Sequence, residues 1–261
     1  MRALATISVV WLAITGGAGL GTATAQTAAT APASKGPARP RIRIGANGGV
    51  QPSSIAITSS TTTPIYTENE TVNATYSVGS GVFFDGGVLV RLAGGLHAGV
   101  TVSSFMKQND GDITSTVPHP FFYNTPRSVS GVAGGLTRNE LVTHVQAAWV
   151  IRAGKSIDIA VSVGPSWFHV TQDLVTGITF SERYPYDTTT FTGASTARVS
   201  ADSVGANAGA DVAFKLSKNI GIGGMVRYSH TSVDFPVPGA PTNSKSDAGG
   251  FQAGGGIRLY F

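Results

Sequence analysis

The chain has 261 residues, of which 34 are Gly, 13 Pro and none Cys; 41% are hydrophobic, 12% are charged, and the formal net charge is +4. Soluble domains carry about 25% charged residues and about 7% Gly, so a solvated helical bundle is excluded, and the absence of Cys excludes disulfide scaffolds and thiol-ligated zinc or iron–sulfur centres. The excess of base is small and scattered, which argues against nucleic acid as a partner.

Met1 and Arg2 form a short positive start, residues 3–14 are apolar, and Ala23-Thr24-Ala25 precedes Gln26. This is the layout of a signal peptide over residues 1–25, cleaved on export, and the apolar run is shorter than the ~20 residues a spanning helix needs. No Cys follows for lipid attachment. Residues 26–40 are rich in Ala, Thr and Pro, with Lys35 and Arg39, and predict a disordered periplasmic tail. Beyond it no window approaches ~18 continuous apolar residues, so no transmembrane helix is expected.

From residue 41 to 261 the sequence alternates with period two, the mark of strands with one oily face. Around residues 42–51, Ile42, Ile44, Ala46 and Val50 oppose Arg43, Gly45, Asn47 and Gln51. A second strand is expected over 76–92, with Tyr76, Val78, Val82, Phe84, Val88, Val90 and Leu92 against Gly79, Gly81, Asp85 and Arg91. Residues 96–103, 140–152, 157–167, 203–216, 220–229 and 251–261 follow the same rule. The clearest is 203–216, where Val204, Ala206, Ala208, Ala210, Val212, Phe214 and Leu216 face Ser203, Gly205, Asn207, Gly209, Asp211 and Lys215. That makes eight strands.

A soluble sandwich also alternates. Three features favour a membrane barrel: the apolar face stays free of charge through each strand, whereas a sandwich would be Lys- and Glu-rich outside. Connections 93–95, 153–156 and 217–219 are short, whereas 51–73, 107–138, 173–202 and 235–246 are long, which is the habit of outer-membrane barrels. An even strand number brings both ends of the barrel to the short-turn side. The expected fold is an all-β, eight-stranded antiparallel up-and-down transmembrane β-barrel, monomeric, in contact with outer-membrane lipid and lipopolysaccharide.

The closing segment, residues 251–261, reads Phe-Gln-Ala-Gly-Gly-Gly-Ile-Arg-Leu-Tyr-Phe. It resembles the C-terminal signal of outer-membrane β-barrels, in which a terminal aromatic and alternating apolar residues, here Ile257, Leu259 and Phe261, are read by the barrel-assembly machinery. The turn at 216–223 is similar to those of OmpA-type and OmpW-type small barrels of the porin-like superfamily. The resemblance covers residues 41–261 and implies the bacterial outer membrane as location; it says nothing of activity.

Eight strands enclose a space that side chains can just fill. The inward set is Arg43, Arg91, Arg152, Lys215, Arg227 and Arg258 against Asp85, Glu140, Asp158 and Asp211, with Asn47, His144, Gln146 and Asn207. Unpaired charge there is costly, so ion pairs across the lumen are expected. They would form either a structural polar plug or a narrow, porin-like channel. Trp149, Trp167, Phe214, Tyr260 and Phe261, with Tyr76 and Tyr228 at the other rim, are expected to form aromatic girdles. The long connections contain Pro118-His119-Pro120-Phe121-Phe122-Tyr123 and Glu182-Arg183-Tyr184-Pro185-Tyr186. Such segments either cap the barrel or form a surface for recognition or adhesion.

Residues 227–232 are similar to the H-x-S stretch of outer-membrane lipid A deacylases, through His230 and Ser232. Val233 stands where that family has Asn, and Ser244 stands where it has Glu. With that Glu absent, and Asp234 or Asp247 the remaining candidates to orient the imidazole, the pair reads as two polar residues at the membrane rim and the chain as no enzyme. The five His residues have no metal-binding spacing, and neither metal nor cofactor is expected.

Overall fold

The computed structural model describes residues 40–240 and 242–261. The expected signal peptide, and the tail up to residue 39, lie outside the described residues. Among the described residues there are ten strands: β1 (Ile42–Gln51), β2 (Ile55–Ile65), β3 (Glu68–Val78), β4 (Gly81–Ala93) and β5 (Leu96–Val117), followed by β6 (Arg127–Ala153), β7 (Ile157–Glu182), β8 (Thr189–Lys215), β9 (Ile220–Phe235) and β10 (Ser244–Tyr260). Every pairing is antiparallel. Eight strands close in the order β1-β4-β5-β6-β7-β8-β9-β10, with β10 returning to β1. The architecture is the eight-stranded barrel that the alternation predicts.

Closure satisfies each ring strand on both sides, and this is what permits a sheet to stand in hydrocarbon. The short turns rest on Gly94 and Gly154, whose φ of +54° and +83° suit glycine. Small residues also let the strands of a narrow barrel approach one another. A Cβ at Gly164 would collide with the Val145 carbonyl, and one at Gly256 with that of Ala46.

Along β7 and β8 the outward pairs change character at one level. Up to Trp167 opposite Val204 they are apolar; beyond it come His169–Asp202, Thr171–Ser200 and Asp173–Arg198. The inward face changes in the opposite sense, with Phe168, Val170 and Leu174 buried above Ser166. Each strand thus turns its apolar side outward near the short turns and inward above that level. At about 3.3 Å per residue and a tilt near 40°, the 26 residues of β7 rise roughly 65 Å, more than twice the ~25 Å apolar band of such barrels.

This inversion corrects the strand boundaries read from sequence. Residues 107–138 and 173–202 are mostly strand, because β5, β6, β7 and β8 continue in water, where most of their outward residues are polar, among them Thr, Ser, Asp and Arg. The expected strand 76–92 is two elements. Tyr76 and Val78 end β3, and β4 begins at Gly81. The connection 51–73 contains β2 and most of β3, a hairpin that pairs with β5 through Thr71–Tyr76 opposite Gly111–Thr116. Its inward residues Ile57, Val72, Ala74, Tyr76 and Val78 join Phe83, Phe105, Ile113, Leu136, Phe168, Leu174 and Phe235 in one apolar core.

The two media give a direct test. Val161 and Val132 are similarly exposed, at 55% and 56%, but lie below and above the level of inversion. Val161→Arg is expected to lower unfolding free energy in lipid vesicles by about 2–4 kcal/mol, and Val132→Arg by less than ~0.5 kcal/mol, read from denaturant titrations of the refolded proteins.

Candidate functional site

The lumen is built in tiers from the short-turn end. In the lowest, Asp211 on β8 receives both Arg43 of β1 and Arg258 of β10, and Asp158 on β7 accepts Lys215 Nζ at 2.7 Å, with Arg152 Nε at 3.8 Å. Tyr260 lies among them, its ring 5.9 Å from the Arg43 guanidinium and 5.0 Å from Lys215 Nζ. One tier higher, Arg227 Nη2 donates to Asp85 at 2.9 Å and Arg227 Nε to Gln252 at 2.9 Å. Asn47 donates to the other oxygen of Asp85 at 2.5 Å, and Gln252 donates to Gln51 at 2.7 Å.

The next tier centres on His144, whose Nε2 and Nδ1 lie 3.1 and 2.7 Å from the hydroxyls of Ser103 and Ser166. Asn207 donates to Ser166 at 2.8 Å and accepts from Gln146 at 3.3 Å. At the top Arg138 donates to Glu140 at 2.7 Å, to Ser246 at 3.1 Å and to the Asp247 carbonyl at 2.7 Å, while Glu140 accepts from the Gly249 amide at 3.0 Å. Above Arg138 begins the apolar core. A cavity of about 80 Å³ remains in the lower tiers, lined in part by Asp85, Asp211, Arg227 and Arg258, enough for a few water molecules.

Twelve of the fourteen residues expected in the lumen meet there: Arg43, Asn47, Asp85, Glu140, His144, Gln146, Asp158, Asn207, Asp211, Lys215, Arg227 and Arg258. The other two, Arg91 and Arg152, stand at the short-turn mouth, where water reaches them. Two girdle expectations are corrected. Tyr76 is 3% exposed, inside the upper core, with its hydroxyl bonded to Ser59 at 3.3 Å; Tyr260 is buried in the lowest tier, leaving Phe261 to the outward rim. Arg138 was not anticipated, because residue 138 falls at the end of a presumed loop. Its even number, shared with Glu140 and His144, is the signal that places it on the inward face. Ile257, Leu259 and Phe261 lie on the outward face of the closing strand.

A second assembly joins the tips of three connections at the long-strand end. Arg127, buried at the start of β6, donates to Glu182 at 3.2 Å, to the Tyr186 carbonyl at 2.8 Å and to the Pro118 carbonyl at 2.5 Å. Tyr66, in the β2–β3 turn, donates to the same Glu182 at 3.2 Å, and burial, then the Glu182 charge, raises its pKa. The Asn124 amide donates to Glu68 at 2.5 Å, and His119 Nδ1 accepts the amides of Phe121 and Phe122 at 3.1 Å each. Phe121 packs edge-on to Tyr186 at 5.3 Å. Phe121, Phe122, Tyr123 and Tyr184 are exposed on this fastened base.

The chain is similar to several solved structures. Neisserial surface protein A aligns with 84% of this chain and 97% of its own, at 13% identity and a TM-score of 0.44. The outer membrane protease OmpT from Escherichia coli aligns over 84% and 97%, at 7% identity and a TM-score of 0.42. Ail, the attachment invasion locus protein of Yersinia pestis, aligns over 84% and 99%, at 10% identity and a TM-score of 0.32. No protein-family model matches the chain, and no curated protein matches it by sequence.

His230 and Ser232 share the outward face of β9, as read from sequence, and Asp247 pairs across from Ser232. Among the described residues His230 makes no hydrogen bond to Ser232; its ring stacks on Tyr228 at 6.4 Å.

Two outcomes follow from the charge pairs. Arg227→Met leaves Asp85 buried without its cation and is expected to cost about 3–5 kcal/mol, most of it regained when Asp85→Asn is added; denaturant titration in vesicles reads both. Outside the bilayer belt, hydrogen bonds from Arg198, aided by the Thr137 amide, hold the Asp173 carboxyl below the usual carboxylate range. A group depressed in the folded state stabilises fully above its unfolded pKa of about 3.9 and loses that contribution as pH falls through the folded value. Protection of the Thr137 amide from hydrogen exchange is therefore expected to fall with acid below about pH 4, and Arg198→Ala to flatten that dependence.

Proposed function

We propose that the protein is a closed barrel of the outer membrane of a Gram-negative-type bacterium, and that its task is performed by the recognition surface on its outer tips. The short turns face the periplasm and the long strands the exterior. In this reading Ile257, Leu259 and Phe261 form the signal for the barrel-assembly machinery, and the outward face of the belt meets outer-membrane lipid and lipopolysaccharide, the chain acting as a monomer.

The observation that carries the reading is the Arg127 staple. A buried guanidinium binding acceptors from residues 118, 182 and 186 fixes loops that a purely structural barrel could leave loose. Ordering them in advance removes an entropic cost from binding, and exposed aromatic rings on a rigid base are the side chains that supply contact area at interfaces. The lumen fits the plug better than the channel. Paired charges fill its lower part, and Phe83, Phe105, Phe168 and Phe235, all at most 2% exposed, fill its upper part.

Two measurements test the proposal. In planar bilayers the purified protein is expected to show no conductance steps above the bare membrane; steady openings would restore the channel reading. Cells displaying the chain are compared with cells displaying the Phe121→Ser, Phe122→Ser, Tyr123→Ser triple variant for adherence to immobilised glycans and matrix proteins. Recognition by the tips predicts a several-fold fall at equal display, and equal adherence removes it.

A further inference from the structure

The short-turn mouth holds a second cavity of about 310 Å³, whose wall includes Arg43, Arg91, Arg152, Asp158, Trp149 and Tyr260. Its electrostatics are lopsided. Among the described residues, the mouth and the tier above it bring the side chains of Arg43, Arg91, Arg152, Lys215 and Arg258 against those of Asp158 and Asp211. Asp211 is already shared by Arg43 and Arg258, and Asp158 is held by Lys215 with Arg152 farther off. Arg91 has no ion pair among the described residues. His97, also on the wall, uses Nδ1 on the Gly95 carbonyl at 2.9 Å.

Two wall residues are more than nine-tenths buried and carry polar atoms that make no hydrogen bond among the described residues, Nη1 of Arg43 and the hydroxyl of Tyr260. Leaving such a group unpaired costs about 1–3 kcal/mol, so each calls for a partner. A guanidinium nitrogen can only donate, and a phenol donates readily. A partner rich in acceptors would satisfy both, and the excess of cations favours a negative one. A phosphate group meets both demands, because several oxygens can engage the fork of Arg43, the Tyr260 hydroxyl and the flanking Arg91 and Arg152 at once.

We propose that the periplasmic mouth is a binding site for a phosphate group, with Arg43, Arg91, Arg152 and Tyr260 as its donors. The group has two possible sources. One is the headgroup of an anionic phospholipid in the adjoining leaflet, since Trp149 and Ile151 on the cavity wall are also half-exposed on the lipid-facing side, where acyl chains would lie. The other is free phosphate in the surrounding water. The site rests on the placement of the belt in a bilayer and is independent of recognition at the tips.

The full chain is refolded in octyl glucoside, which carries no phosphate, and binding is measured in two arms. Retention of dioleoylphosphatidylglycerol against dioleoylglycerol is read by native mass spectrometry, and inorganic phosphate against chloride at equal ionic strength by phosphorus NMR line broadening. The lipid is expected to be retained over its phosphate-free counterpart, and Arg91→Gln with Arg152→Gln to weaken it about tenfold, with unchanged circular dichroism. Tyr260→Phe, which removes only the hydroxyl, is expected to weaken it a few-fold and carries the test if the double variant does not fold. Binding in the lipid arm alone assigns the headgroup; binding of inorganic phosphate with the same losses assigns the soluble anion. No binding in either arm, or binding that both variants leave intact, overturns the site. A chain that fails to enter bilayers refutes the membrane placement, and the phosphate arm can still be read.

Discussion

The structure depends on a change of solvent part-way along its strands. Near the short turns hydrocarbon lies outside the ring, so the outward residues must be apolar and the backbone must close on itself. Above Trp167 and Val204 water lies outside, the outward pairs become His169–Asp202 and Asp173–Arg198, and the apolar residues move inside. The period of two leaves no third option: a strand with its oily side outward has only its polar side to offer the lumen. The charged interior of the lower barrel and the aliphatic interior of the upper barrel are therefore two answers to one constraint.

That constraint explains why the lower lumen is so thoroughly paired. Buried ion pairs add little net stability over apolar packing, but removing one partner is costly. Their value here is registry. Arg227 on β9 reaches Asp85 on β4, and Arg43 on β1 reaches Asp211 on β8, so each contact spans the ring and penalises a slipped strand. The upper half has no such need, because the β2–β3 hairpin supplies Ile57, Val72 and Tyr76 to an ordinary apolar core.

The belt was legible in the sequence because lipid imposes a one-sided pattern, and residues 157–167 and 203–216 show it plainly. The extensions were not, because in water Thr and Ser serve on either face of a strand, and the inverted apolar phase of Phe168, Val170 and Leu174 cancels the signal of the segment below. Polar lumen residues could be read by parity, which located Asp85, Glu140 and Asp211; their partners could not, since a ring contact such as Arg43 with Asp211 has no local trace. The Arg127–Glu182 staple escaped for the same reason. Tyr76 was misplaced because an aromatic at a strand end looks the same in a girdle as in a core; only the hairpin beside it decides.

The overhang of the long strands has an electrical consequence. From Trp167 to the end of β7 at Glu182, at about 3.3 Å per residue and a tilt near 40°, the tips stand roughly 40 Å above the apolar boundary. Ionic screening in physiological salt decays over about 8 Å, so the charge of the membrane surface is extinguished several times over before it reaches them. Under the proposed recognition, a molecule arriving at Phe121, Tyr123 and Tyr184 would meet the field of Arg183 and Asp187, and its approach would be indifferent to which lipids lie below.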